Sequence, residues 1–232
     1  MILISEDVWG APFQKLEGSF PITRNDDLWS NPEELKASLK DATALVVRNR
    51  TKVTAEIIAA APKLKVIARA GVGLDNIDIK AADAAGVVVV AGLGANAVSV
   101  GELTLGLALA LLRNVPGHDV ATRDGGWVRT PGRELSGLTW GLLGCGATGL
   151  ATSKLLQGFG CSVIGYDPYA KNLSNIELTT FEDVLKRSDV VSIHMPSTAE
   201  KNGSINAKSL ALMKPDAITS TLVAGKSLMK PI

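Results

Sequence analysis

Residues 138–169 read LTWGLLGCGATGLATSKLLQGFGCSVIGYDPY, and this stretch decides the fold. A short apolar run, Leu138–Leu143, meets Gly144-Cys145-Gly146-Ala147-Thr148-Gly149. A helix-like segment follows, then a second apolar run, Cys161–Tyr166, and Asp167. Strand, glycine turn, helix, strand and acid in that order are the setting in which a GxGxxG sequence holds a dinucleotide. Gly144 allows the tight turn, Gly146 admits a pyrophosphate close to the backbone, and Gly149 lets the helix pack on the strand. The unpaired N–H groups of the first helical turn then face phosphate charge. Asp167 stands where a carboxylate accepts from both hydroxyls of an adenosine ribose and repels a 2′-phosphate. The next residues are Pro168, Tyr169, Ala170 and Lys171, with no arginine directly after the acid, so the stretch favours NAD over NADP. The alternatives are a phosphate-free strand-to-helix turn and, for Asp167, an ordinary turn residue.

Working outward, strand and helix alternate on both sides. Met1–Ser5, Ala44–Val47, Leu64–Ala68 and Val87–Ala91 are nearly continuous apolar runs and read as strands buried on both faces. Pro32–Leu39, Val53–Ala60 and Ile77–Ala85 read as the helices between them, the first capped by Ser30 or Asn31. A long apolar helix over Ala95–Asn114 is expected to stop at Val115-Pro116-Gly117, and Leu103–Leu112 within it reads as buried. Gly125–Gly137 is a loop; Asp189–Ile193 and Ala207–Met213 continue the series as strand and helix. The fold class is therefore α/β, with two doubly wound parallel-sheet domains whose ligands sit at the carboxyl ends of the strands.

Composition narrows the partners. In 232 residues, 24 Lys and Arg nearly balance 23 Asp and Glu, which suggests neither nucleic acid nor an anionic membrane as partner. The N-terminus MILISEDVW reads as a first strand and not as a signal peptide, and the longest apolar stretch is too short to span a bilayer. Cys145 and Cys161 lack metal-ligand spacing and read as small, buried or half-buried residues of a reduced cytoplasmic protein; no metal site is expected. His118 has no motif around it and reads as a surface residue.

Five strings in order, VVRNRTKVT (Val46–Thr54), RAGVGLDNIDI (Arg69–Ile79), NAVSVGELT (Asn96–Thr104), the glycine motif with YDPY, and HMPST followed by LALMKPDA, resemble the D-2-hydroxyacid dehydrogenases. The nearest likeness is to members acting on 3-phosphoglycerate. The resemblance implies a flavodoxin-like substrate domain over residues 1–94 and a Rossmann NAD-binding domain over residues 95–232. It implies hydride transfer between NAD and a small 2-hydroxy or 2-keto acid, and a homodimer through the nucleotide domain. Gly71-Val72-Gly73 resembles the family's substrate loop, whose bare amides hold a carboxylate as an anion nest, with Val72 serving both cofactor and substrate and Gly73 the substrate. The other reading of this loop is a plain strand-to-helix turn. Arg48 and Arg50 resemble cleft arginines that meet a phosphate or carboxylate, or else lie in a solvated loop. Asn96 matches a cleft asparagine, or is only a helix cap. Ala147 and Thr148 resemble the pair whose amides face the pyrophosphate, and His194, Met195 and Pro196 match the turn that packs on NAD.

The family's arginine, glutamate and histidine of catalysis all follow MKPDA. The last arginine, glutamate and histidine of this chain, Arg187, Glu200 and His194, precede that point, so no residue here is assigned to catalysis. The tail 218–232, ITSTLVAGKSLMKPI, does not resemble the family. One choice of codons for Leu222–Ile232, read in another frame, gives R-G-G-Q-V-V-D-E-A-D, the family's arginine motif. The expectation is a C-terminally truncated, frameshifted chain with an exposed sheet edge, weak NAD affinity at best and negligible catalysis. The alternative is a non-catalytic NAD-binding regulatory protein.

Overall fold

The computed structural model of the protein describes residues 1–195 and 203–222. The chain forms two compact units, Met1–Asn96 and Ala97–Ile232. Each is built on a five-stranded parallel sheet.

In the first unit the elements are β1 (Ile2–Ile4), α1 (Ala11–Glu17), β2 (Ile22–Arg24), α2 (Pro32–Leu39), β3 (Ala44–Val47), α3 (Ala55–Ala59), β4 (Val66–Arg69), α4 (Ile79–Ala84) and β5 (Val88–Ala91). The strand order β2-β1-β3-β4-β5 is the flavodoxin-like one, with its topological switch between β1 and β3. Leu3, Leu45, Val47 and Ile67 on the inner strands are fully buried against Leu35 and Leu39 of α2 and Ile57 of α3. Local chemistry starts the helices. Asn31 accepts from the Glu34 N–H with Pro32 in the first turn, Thr54 accepts from Ile57, and Asp78 from Ala81. One reading is corrected here: β5 is an edge strand, with Val88 and Val90 59% and 51% exposed, so its apolar run does not mean burial on both faces. α1 buries no residue, and β2 has only three, so neither leaves a periodic signal in the sequence.

The second unit runs α5 (Ala97–Leu112), α6 (Val115–Arg123), β6 (Thr139–Leu143), α7 (Ala147–Leu156), β7 (Ser162–Tyr166), β8 (Glu177–Leu178), α8 (Phe181–Arg187), β9 (Val190–Ile193), α9 (Ala207–Leu210) and β10 (Ile218–Thr221). The strand order β10-β9-β6-β7-β8 is that of a Rossmann sheet through its fifth strand, with the switch between β6 and β9. The long helix stops at Leu112, just before Val115-Pro116-Gly117 as expected, but a second helix, α6, begins at once at Val115. Asn114 takes a left-handed conformation (φ 49°), the axis bends by 64°, and Pro116 sits in the first turn of α6, where its missing N–H costs no hydrogen bond. α5 is buried on one side only. Gly101, Thr104, Ala108 and Leu112 face inward, and a Cβ at Gly101 would lie 3.2 Å from the Leu155 side chain and the Thr152 nitrogen. Leu103, Leu107 and Leu111 face outward, which corrects the reading of this stretch as wholly buried.

β10 pairs with β9 from Ile218↔Val190 to Thr221↔Ile193. The first residues of the tail set apart in the sequence thus form an edge strand of the nucleotide sheet. Residues 223–232 and Pro196 lie outside the described residues. Among the described residues, no single helix is long and apolar enough to cross a membrane.

Candidate cofactor and substrate sites

The glycine turn between β6 and α7 is shaped by backbone crowding. Gly144 has φ 102°, and a Cβ there would stand 2.8 Å from the His194 carbonyl carbon and the Met195 nitrogen. A Cβ at Gly149 would overlap the Gly144 carbonyl oxygen, so α7 rests directly on the turn. Gly146 differs from both. It has ordinary extended backbone, and a Cβ there meets nothing within 4 Å. It is the N-cap of α7, and no side chain caps that helix. Among the described residues no side chain takes the first-turn N–H groups, those of Ala147 and Thr148 among them, and the positive end of the helix dipole lies behind them. That arrangement fits a diphosphate.

Asp167 follows β7. Its carboxylate accepts from the N–H groups of Cys145 (2.8 Å), Tyr169 (2.9 Å) and Ala170 (3.2 Å), which ties the end of β7 to the glycine turn. Burial, with the Asp167 charge adding to it, pushes the Cys145 thiol up to about 11, so it stays protonated and unreactive. Neither cysteine is in a disulfide.

His194 leaves β9 and Met195 beside it is buried. The Trp140 Nε1–H, which can only donate, bonds Ser192 Oγ at 2.8 Å, and Ser192 lies 3.0 Å from His194 Nε2. The serine oxygen, with two lone pairs, can accept from Trp140 and either donate to Nε2 or accept from it, while His194 Nδ1 is buried without a partner among the described residues. Burial lowers the His194 pKa to about 4, so the ring is neutral. The sequence reading named His194 and Met195 as cofactor-wall residues but did not foresee the Trp140–Ser192 pair beside the ring. No local pattern links residues 52 positions apart.

At the carboxyl ends of the strands in the first unit lie Arg48, Arg50 and the Gly71-Val72-Gly73 turn. The residue that organises this rim, Glu6, is missing from the sequence reading. Its carboxylate, 2% exposed, accepts from the N–H groups of Arg48 (2.8 Å), Asn49 (3.1 Å), Arg50 (2.9 Å) and Thr51 (2.9 Å). Burial works against its charge, but these backbone bonds outweigh it and hold the pKa below the ordinary glutamate value. An acid just past a buried parallel strand was the available signal. Asn76 Nδ2 donates to the carbonyls of Thr51 (2.8 Å) and Arg48 (3.3 Å), joining the arginine loop to the segment after the turn.

Arg48 is exposed, and the Arg50 guanidinium lies 5.0 Å above the Trp29 ring. Arg50 also lines a hollow of about 270 Å³ with Trp29, Pro32, Leu35 and Lys52. In the turn, Val72 and Gly73 are exposed and their N–H groups form no hydrogen bond among the described residues. Asn96 is exposed, and its side chain caps nothing among the described residues. His118 is half-buried, and no group of three or more metal-ligating side chains occurs among the described residues.

The comparisons agree with this geometry. The family model for the D-isomer specific 2-hydroxyacid dehydrogenase NAD binding domain matches residues 105–223, and so includes β10. The chain is 42% identical over 199 residues to D-3-phosphoglycerate dehydrogenase of Mycobacterium bovis, spanning 83% of this chain and 38% of that one. It is 40% identical over 200 residues to hydroxypyruvate reductase of Thermotoga maritima, spanning 84% of this chain and 65% of that one. It therefore covers under two thirds of the length of these relatives. Among solved structures, D-lactate dehydrogenase from Aquifex aeolicus, complexed with NAD and lactic acid, is similar at a TM-score of 0.86 and 27% identity. That match covers 98% of this chain and 70% of the other. With its glycine turn, strand-end acid and Rossmann strand order matched across half its length, the chain belongs to the D-isomer-specific 2-hydroxyacid dehydrogenases, a family of NAD-dependent oxidoreductases, and its second unit carries their NAD-binding domain.

Proposed function

We propose that this chain holds NAD on the turn Gly144–Gly149 and a small 2-hydroxy or 2-keto acid on the turn Gly71–Gly73, for hydride transfer between them. The observation that carries this reading is the uncapped start of α7 facing open space at Gly146, with Asp167 held alongside. Bound NAD supplies the hydride acceptor. The Ala147 and Thr148 amides meet its pyrophosphate, Asp167 its adenosine ribose, and His194, Met195 and Pro196 form its wall. The carboxylate of Asp167 repels a 2′-phosphate, which favours NAD over NADP.

On the substrate side, the Val72 and Gly73 amides take the carboxylate, Val72 also touches the cofactor, and Asn96 lies at the substrate. Arg48 and Arg50 meet an anionic group at the far end, which points to a phosphate-bearing acid such as 3-phosphoglycerate. No residue is assigned to proton transfer. His194 is neutral near pH 7 and cannot serve as the acid.

The outward face of α5 (Leu103, Leu107 and Leu111) is the surface we assign to a second copy of the chain. Sedimentation equilibrium is expected to show a dimer that Leu107→Arg splits. The two free thiols suit a reducing, cytoplasmic setting.

Amide NMR tests the main reading. NAD is expected to shift the signals of Gly146–Gly149, and added D-3-phosphoglycerate those of Val72 and Gly73. Shifts scattered elsewhere, or none with millimolar ligand, would overturn it.

A further inference from the structure

We infer that Glu6 is a positioning residue for the arginine loop: it fixes where the Arg48 and Arg50 guanidinium groups stand, and through them the preference for a 2-hydroxy acid that bears a second anion. This rests on the proposed reading that these two arginines meet that anion.

The loop Arg48–Thr51 leaves the carboxyl end of β3, and Glu6 stands just past the end of the neighbouring strand β1. This is the topological switch point of the first sheet, where a strand order of this kind opens a crevice for a ligand. Four successive main-chain N–H groups turned toward one point make a nest that suits an anion. The chain fills the nest with its own acid. Glu6 Oε1 takes the N–H groups of Arg48 and Thr51, and Oε2 takes those of Asn49 and Arg50. The loop therefore has no amide left for a ligand, and whatever it binds must be held by side chains.

The carbonyls of the same loop are held as well. Asn76 Nδ2 donates to those of Arg48 and Thr51, and Thr51 Oγ1 lies 2.9 Å from Ser5 Oγ, with both residues fully buried. A backbone clamped through both its donors and its acceptors has little freedom to move. Thr51 is buried, while Arg48, Asn49 and Arg50 are exposed in a row. Arg50 is steadied further by its stacking on Trp29, and neither arginine forms an ion pair among the described residues. A guanidinium takes a phosphate or carboxylate through a planar fork, so a displacement of about 1 Å in the loop beneath it weakens the bond it makes. Glu6 touches no ligand in this arrangement. It acts through the two arginines that its carboxylate holds by their main chain.

D-Glycerate and D-3-phosphoglycerate differ only in the phosphate, so the ratio of their dissociation constants reads the arginines separately from the rest of the site. Calorimetry on the full chain with saturating NAD measures that ratio. Glu6→Gln keeps the size of the side chain but turns a donor toward the nest. It is expected to weaken D-3-phosphoglycerate by about 10-fold, the worth of one charge-assisted hydrogen bond, and D-glycerate by no more than about 2-fold. Glu6→Asp keeps the charge and both acceptor oxygens on a shorter stem, and is expected to weaken the phosphate ester alone by about 3-fold. It decides the matter if circular dichroism shows Glu6→Gln misfolded. An equal loss for both acids, as a merely structural role would give, or an unchanged ratio in a folded variant, overturns the inference alone. A wild-type chain that binds the two acids equally, or binds neither, overturns the reading of the arginines as well.

Discussion

The two glycine turns occupy equivalent places, each just past the carboxyl end of a parallel strand, yet they are built differently. At Gly144–Gly149 the shape is enforced by backbone atoms: the His194–Met195 peptide crowds Gly144, and the Gly144 carbonyl crowds Gly149. At Gly71–Gly73 the backbone is open, and the space above it is filled by the Arg69 side chain. The first turn is a crowded cradle, and the ligand contacts proposed for it come from main-chain amides. The second is shaped by a side chain, that of Arg69, lying over it. Substitutions should therefore damage stability and binding together at parts of the first turn, and binding separately from folding at the second.

The largest expected effect is at Gly149. Gly149→Ala places a methyl group on the Gly144 oxygen, which neither helix nor strand can relieve cheaply. The second unit should lose about 3 kcal/mol or more in denaturant unfolding, with NAD binding lost too. An unfolding curve matching the wild type would mean that the turn is less rigid than described.

Glu6→Gln comes next. The amide group replaces one acceptor oxygen with a donor facing backbone N–H groups, so the first unit should lose about 2–3 kcal/mol while NAD titration is preserved. Because the folded Glu6 pKa is lowered, its stabilisation is present above the unfolded value near 4.5 and is lost as pH falls through the folded value. The variant should lack that acid-side decline. A parallel loss of NAD binding would break the division between the two turns.

His194 gives a pH signature in the second unit. Its pKa falls from 6.5 to about 4 on folding, so the unfolded chain binds the extra proton between those values. Stability should drop by about 2 kcal/mol as pH is lowered from 6.5 to 4, and the difference between wild type and His194→Gln should show that slope. An equal slope in both proteins would mean that the ring is solvated.

The smallest effect is at Arg50. Arg50→Ala loses its stacking on Trp29, about 0.5–1 kcal/mol in thermal unfolding, and should weaken D-3-phosphoglycerate while sparing D-lactate.

What could be read from the sequence follows the same division. The dinucleotide turn was legible because its requirements are local: a left-handed glycine, a helix start and an acid after the next strand lie within 24 residues, Gly144 to Asp167. Glu6 was not, because it acts on amides 42 to 45 positions away, and only the parallel pairing of β1 with β3 brings them together. Arg69 stood inside the quoted RAGVGLDNIDI string, but spacing does not encode that its side chain folds back over Gly71. Pro116 marked the stop of α5, but the helix that begins at Val115 was not foreseen, because a proline near a helix end can equally open another helix. The apolar run of β5 misled because a run of hydrophobic residues does not say whether its strand lies inside the sheet or at its edge.

Gly146 offers the most direct test of the central claim, that NAD lies on the turn Gly144–Gly149. A Cβ there meets no atom of the described residues within 4 Å and strains no backbone angle, but a side chain would enter the space assigned to the pyrophosphate. Calorimetric titration of NAD into Gly146→Val, beside the wild type, should show stability changed by no more than about 1 kcal/mol and saturable NAD binding abolished. A folded Gly146→Val that binds NAD like the wild type would contradict the account.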